Sequence, residues 1–75
     1  MLLVLYTGPS CGLCEQAEAM LNNSQIDYSL KKVNVRDSAD LFHKYGARIP
    51  VLFRPDTQQE LPWPFDPIQL DEFLR

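Results

Sequence analysis

Ser10-Cys11-Gly12-Leu13-Cys14 contains the only two cysteines of the 75-residue sequence, three positions apart. The apolar run Met1-Leu2-Leu3-Val4-Leu5-Tyr6 leads into it, and Glu15 to Leu21 leads out with apolar residues at helical spacing. Leu2 to Leu5 shows no polar alternation, as expected of a central strand buried on both faces. Thr7-Gly8-Pro9-Ser10 ends that strand with turn chemistry. Ser10 is the expected N-cap of the following helix, which puts Cys11 at its start. Cys14, Ala17 and Leu21 share one face at i, i+3, i+7, and Leu13, Ala17 and Met20 form an overlapping stripe. Glu15, Gln16 and Glu18 point outward. The stretch therefore reads as strand, turn and helix, with two thiols at the turn.

That placement has chemical consequences. Disulfide exchange needs a thiolate, an accessible sulfur and a second thiol close enough to resolve a mixed disulfide. Positions i and i+3 on a helix are neighbours at a separation a disulfide can span. Cys11, at the helix N-terminus, meets unpaired N–H groups and the positive end of the dipole, which favour a thiolate. Cys14 falls on the inward face. The pattern assigns Cys11 as attacking nucleophile and Cys14 as resolving thiol. Two other readings of a C-x-x-C stand beside it. A zinc site would need four ligands, and only His43 adds to the thiols from the softer set, so no metal is expected. Two inert buried cysteines are the third reading.

Composition narrows the field. A chain of this length forms one domain, residues 1–75, with one modest core. The net charge of −3 argues against nucleic-acid binding. No apolar run approaches the roughly 18 residues that cross a membrane. Met1 to Tyr6 has neither a basic n-region nor a cleavage site, so it is not a signal peptide. The expectation is a cytoplasmic protein, monomeric by default. In that compartment close cysteines are more often catalytic or metal-binding than a permanent staple.

The remaining chain supplies the other elements. Tyr28 to Val35 reads as a second strand, with a phase slip that implies partial burial on both faces or a bulge. Asp37 or Ser38 caps a second helix whose apolar face is Leu41, Phe42 and Tyr45, and Gly46 is the expected C′ residue. Ala47-Arg48-Ile49-Pro50 leads into a short strand, Val51 to Phe53. Arg54 to Thr57 is turn-like, and Gln58 to Leu61 returns as a fourth strand. Prolines exclude regular structure from Leu61 to Phe65. Asp66, Pro67 and Gln69 then form a capping-box start, with Phe65 stapled to Leu70. The order β-α-β-α-β-β-α gives an α/β three-layer sandwich (of the α+β kind) around a mixed four-stranded sheet, its first two strands parallel.

Cys11-Gly12-Leu13-Cys14 after strand one, Ile49-Pro50 before strand three, and a hairpin followed by a capped helix together resemble a glutaredoxin-like protein of the thioredoxin superfamily. The likeness covers nearly the whole chain, and Leu5-Tyr6-Thr7 resembles the glutaredoxin opening. The resemblance implies a thioredoxin-like fold and thiol–disulfide oxidoreductase activity on a disulfide-containing protein or small-thiol substrate. It implies no bound cofactor, with glutathione or a flavoprotein-linked reductase as external reductant. It also implies a cis Ile49-Pro50 bond packed against the thiols; an ordinary trans proline opening an edge strand is the alternative.

The sequence departs from that family at several points. The motif interior is Gly12-Leu13, no basic residue precedes the motif, and Arg48-Ile49-Pro50 stands for Thr-Val-Pro. Trp63-Pro64-Phe65-Asp66 replaces the Gly-Gly-x-Asp segment that holds glutathione, so only Asp66 matches. Arg48 is either a cation that stabilises the Cys11 thiolate or a solvated side chain. Trp63 is either part of an apolar lip beside Cys11 or a core residue. Tyr6 either approaches the site from the end of strand one or is an ordinary strand residue. The competing function is a thioredoxin-fold binding module using Trp63 and Arg48, with a regulatory or vestigial redox pair.

Overall fold

The computed structural model describes residues 1–24 and 26–75. Its elements are β1 (Leu2–Thr7), α1 (Gly12–Asn22), β2 (Ser29–Asn34), α2 (Ala39–Tyr45), β3 (Val51–Arg54), β4 (Gln59–Pro62) and α3 (Pro67–Leu74). A single 3₁₀ turn, Val35–Asp37, separates β2 from α2. The four strands form one sheet in the order β2-β1-β3-β4. β1 runs parallel to β2 and antiparallel to β3, and β3 pairs antiparallel with β4. β1 is thus a central strand, which accounts for its unbroken apolar run: Leu3, Val4 and Leu5 are all buried.

Alternation along the strands divides the interior into two cores. Leu3 and Leu5 of β1 and Leu52 of β3 face α1 and α3, where Ala17, Leu21, Phe65, Leu70 and Leu74 complete the larger core. On the opposite face Val51 meets Val35 and Tyr45, with Tyr6, Leu41 and Ile49 packed around them. Helices therefore cover both faces of the sheet, the three-layer arrangement expected from the element order. Full burial of each leucine contributes about 1.5–3 kcal/mol relative to exposure.

Several local expectations change. β2 pairs with β1 without interruption from Leu2↔Ser29 to Thr7↔Asn34, so the phase slip marks partial burial of an edge strand and not a bulge. Val35 leaves the strand for the 3₁₀ turn and is buried there. Ser38 caps α2, its hydroxyl accepting from the Leu41 N–H. Gly46 keeps a right-handed φ of −53°. Glycine is needed there because a Cβ would come within 2.5 Å of the Phe42 carbonyl oxygen. Phe42 and Leu13, placed on apolar stripes by their spacing, are 50% and 45% exposed. Both helices turn a narrower face to the sheet than the sequence pattern implies.

At the far end, Arg54 donates to the carbonyls of Phe73 (2.8 Å) and Arg75 (2.7 Å), closing the C-terminus of α3 with a cation. Its other nitrogens form a bidentate pair with Asp56. No helix among the described residues is long and apolar enough to cross a membrane.

Candidate active site

β1 ends at Thr7, and the chain turns through Gly8-Pro9-Ser10 into α1. Ser10 takes a left-handed φ of 54° and does not cap the helix. The N-cap is Cys11, whose Sγ accepts from the Cys14 N–H at 3.1 Å. This corrects the expected Ser10 cap. The left-handed turn at Ser10 advances the chain by one residue, so the sulfur takes the place a cap oxygen normally fills. Cys11 and Cys14 are joined as a disulfide with a Cα–Cα separation of 5.2 Å. Cys11 is half-buried, whereas Cys14 is only 3% exposed and lies on the packed face with Ala17 and Leu21.

The two sulfurs are chemically unequal. A thiolate at Cys11 would accept the N–H bond already directed at its sulfur and would feel the positive end of α1. Cys14 is shielded from incoming reagents by α1 and the core behind it. Gly12 is exposed, and a Cβ there would meet nothing within 4 Å. Exposed Leu13 adds an apolar surface beside it.

Ile49-Pro50 lies against the same turn. The bond is cis. Pro50 is buried, and its carbonyl accepts from the Trp63 N–H at 3.0 Å. Ile49 packs so closely on Gly8 that a Cβ there would come within 2.9 Å of Ile49 Cδ1. Gly8 is thus more than a turn residue: its missing side chain lets the Ile49-Pro50 segment close on the loop that carries Cys11. Sequence reading missed this role, because a glycine beside a proline looks like turn chemistry alone.

The other candidate residues are engaged elsewhere. The Arg48 guanidinium donates to the Lys44 carbonyl (3.3 and 3.1 Å) and lies 5.3 Å from the centre of the Tyr45 ring. It closes the end of α2 and is thereby committed to that helix. Tyr6 stacks on Tyr45 with ring centroids 4.1 Å apart, on the α2 face of the sheet. Trp63 packs against the larger core and meets Phe65 edge-on at 4.9 Å. Asp66 accepts from the Gln69 N–H (2.7 Å), and the Gln69 side chain accepts from the Asp66 N–H (3.0 Å), completing the capping box. Its carboxylate therefore serves α3.

A groove of about 320 Å³ runs beside the disulfide, between α1 and the edge strand β2. Cys11, Cys14, Ser10, Glu15, Glu18 and Lys32 line it. Larger hollows lie elsewhere, one of about 450 Å³ between β4 and α3, but neither cysteine lines them. Among the described residues, no cluster of three or more histidine, cysteine or acidic side chains could hold a metal.

The sequence matches the model of the glutaredoxin-like domain (DUF836) over residues 2–75. The chain belongs to the glutaredoxin-like family. No curated protein matches the sequence. Among solved structures, this glutaredoxin-like chain is similar to target protein XcR50 from X. campestris, known from a crystal and from solution. Identity is 39% and the TM-score 0.86 in both cases. The crystal comparison covers 96% of this chain and 93% of the other, and the solution comparison 99% and 92%.

Proposed function

We propose that this glutaredoxin-like protein is a thiol–disulfide oxidoreductase in which Cys11 attacks and Cys14 resolves. The observation that carries the reading is the asymmetry of the pair: an accessible sulfur held as the cap of α1, bonded to a shielded one. In the reduced protein the Cys11 thiolate attacks one sulfur of a substrate disulfide. The new Cys11–substrate disulfide forms as the second substrate sulfur leaves as a thiolate and takes up a proton. Cys14 loses its proton and attacks Cys11 Sγ, which re-forms the internal disulfide and releases the first substrate sulfur as a thiol. Two electrons pass from the dithiol to the substrate. An external thiol reductant restores the dithiol by the reverse exchange, so no bound cofactor is required.

The substrate reading follows from what surrounds the pair. Ile49 packs against Gly8 on the loop that carries Cys11, and an incoming chain would lie along this segment. The segment that would hold glutathione is occupied by Trp63, half-buried against the core, and by Asp66, whose carboxylate caps α3. These contacts favour a polypeptide disulfide over a glutathione mixed disulfide. A binding module built on Trp63 and Arg48 finds less support, because Arg48 is bonded to the Lys44 carbonyl and Trp63 is packed against the core.

The test compares rates for a protein disulfide and a glutathione mixed disulfide, alongside the reduction potential of the pair. A potential near the roughly −200 to −270 mV of glutaredoxins and thioredoxins, with the protein disulfide preferred, supports the reading. A pair that exchanges with neither substrate would overturn it.

A further inference from the structure

The groove between α1 and β2 contains three charged side chains: Glu15, Glu18 and Lys32. Lys32 Nζ lies 2.9 Å from Glu18 Oε1, so those two charges offset one another. Glu15 is exposed, and no cationic partner for it is found among the described residues. Two carboxylates and one ammonium leave the groove with one net negative charge. The positive end of α1, worth about half a charge, offsets part of it and leaves the groove acidic on balance. Glu15 lies one helical turn from the attacking sulfur, its N–H donating to the Cys11 carbonyl at 3.2 Å.

We propose that this groove is a substrate subsite selecting disulfides flanked by a cationic side chain, with the Glu15 carboxylate as its specificity-determining group. The substrate class is a disulfide within a basic segment of a polypeptide. Glutathione, an anion at neutral pH, is disfavoured by the same charge. The inference deepens the thiol–disulfide reading and rests on it.

Residues one turn apart on a helix have Cβ atoms about 5–6 Å apart. A lysine or arginine beside the cystine bonded to Cys11 has a side chain long enough to approach the Glu15 carboxylate, and a separation of about 6 Å sets the scale. At that distance, and at an effective dielectric constant between about 40 and 80, the attraction corresponds to about a 3- to 10-fold change in rate. Glu15 also stabilises the first turn of α1, but that effect applies equally to every substrate and cancels in a ratio of rates.

The experiment uses three peptide disulfides that differ only in the residue flanking the cystine: lysine, glutamine or glutamate. Their exchange rates with the reduced protein are measured at low and high ionic strength. At low salt the lysine peptide should react about 3- to 10-fold faster than the glutamine peptide, and the glutamate peptide slower by a similar factor. High salt should compress both ratios. Glu15→Gln should bring them close to one. Lys32→Gln should enlarge them, since it leaves two unpaired carboxylates. Ratios that survive Glu15→Gln, or that ignore salt, would overturn the proposal. Equal rates for all three peptides would remove the subsite while leaving the oxidoreductase reading intact. Failure to exchange with any of them would remove both.

Discussion

Replacing Tyr45 by Phe tests the pin that holds the segment packed on the cysteine loop. Tyr45 is only 2% exposed, at the end of α2. Its ring stacks on Tyr6 of β1, and its hydroxyl donates to the Glu60 carboxylate on β4. The next residues, Gly46 to Pro50, run to the cysteine loop. One side chain thus ties α2, β1 and β4 together immediately before the segment that packs on Gly8. Phe preserves the stack and removes only the hydrogen bond. Bonds to charged groups are worth about 1.5–3 kcal/mol, but Glu60 is exposed and regains water, so the cost near neutral pH should be about 1–1.5 kcal/mol.

The same bond makes a prediction about alkaline pH. Burial, and then the bond to Glu60, raise the Tyr45 hydroxyl well above its ordinary value of 10.0. A raised folded-state value means the folded protein keeps this proton after the unfolded chain has lost it. The stabilising contribution is complete below about pH 10 and declines as pH rises further. Across that window stability falls by at most about 1.4 kcal/mol per pH unit from this group. Urea unfolding of the oxidised protein from pH 8 to 11 should therefore show the wild type more stable than Tyr45→Phe at pH 8. The gap should close within about one unit above pH 10. A gap that stays constant to pH 11 would refute the assignment of the bond, and so the role of Tyr45 as the pin.

Cys14→Ser should accumulate a covalent Cys11–substrate adduct, visible by intact mass under non-reducing conditions, whereas Cys11→Ser should form none; an adduct on Cys14 would reverse the assigned roles. Asp66→Ala removes the acceptor for the Gln69 N–H and should cost about 1 kcal/mol, lowering the melting temperature by about 4–8 °C for a domain of this size. Arg54→Gln should destabilise α3 and alter the acid response. The hydrogen bond from Arg54 holds the Asp56 carboxyl below its ordinary 3.8. A lowered carboxyl value contributes stability above the unfolded value and loses it as pH falls through the folded one. Acid unfolding below about pH 4 should therefore be shallower in Arg54→Gln than in the wild type.

The features readable from sequence were those whose physics is local. The strand–turn–helix around Cys11 and Cys14 follows from an apolar run, turn residues and helical spacing, all within about twenty positions. The capping box at Asp66 and Gln69 is likewise local, and both halves of it form. What escaped was decided across the fold. Arg54 reads as the start of a turn, and its bond to the carbonyls of α3 exists only once residues 19 and 21 positions away return to it. Arg48 reads as a partner for the thiols because it precedes Ile49-Pro50, yet the Lys44 carbonyl, four residues back, takes its guanidinium. Ser10 was read as the cap because hydroxyls usually take that role, and the left-handed turn gave the position to a sulfur.

These corrections change how the site around Cys11 is understood. If Arg48 had supplied a cation at the thiols, its side of the site would have favoured anionic substrates, against the acidic groove. With Arg48 held at the end of α2, the stabilisation of a thiolate falls to the backbone of α1, which acts on the sulfur itself and has little reach beyond the first turn. The two walls are then free to differ. On one side, in the proposed reading, the uncharged segment packed on Gly8 would border the approach. On the other, Glu15 and the Glu18–Lys32 pair leave one net negative charge. A disulfide approaching Cys11 would meet a neutral wall along its main chain and an acidic wall along its flanking side chain. This division would allow a single helix N-terminus to activate the sulfur without also recruiting anionic thiols.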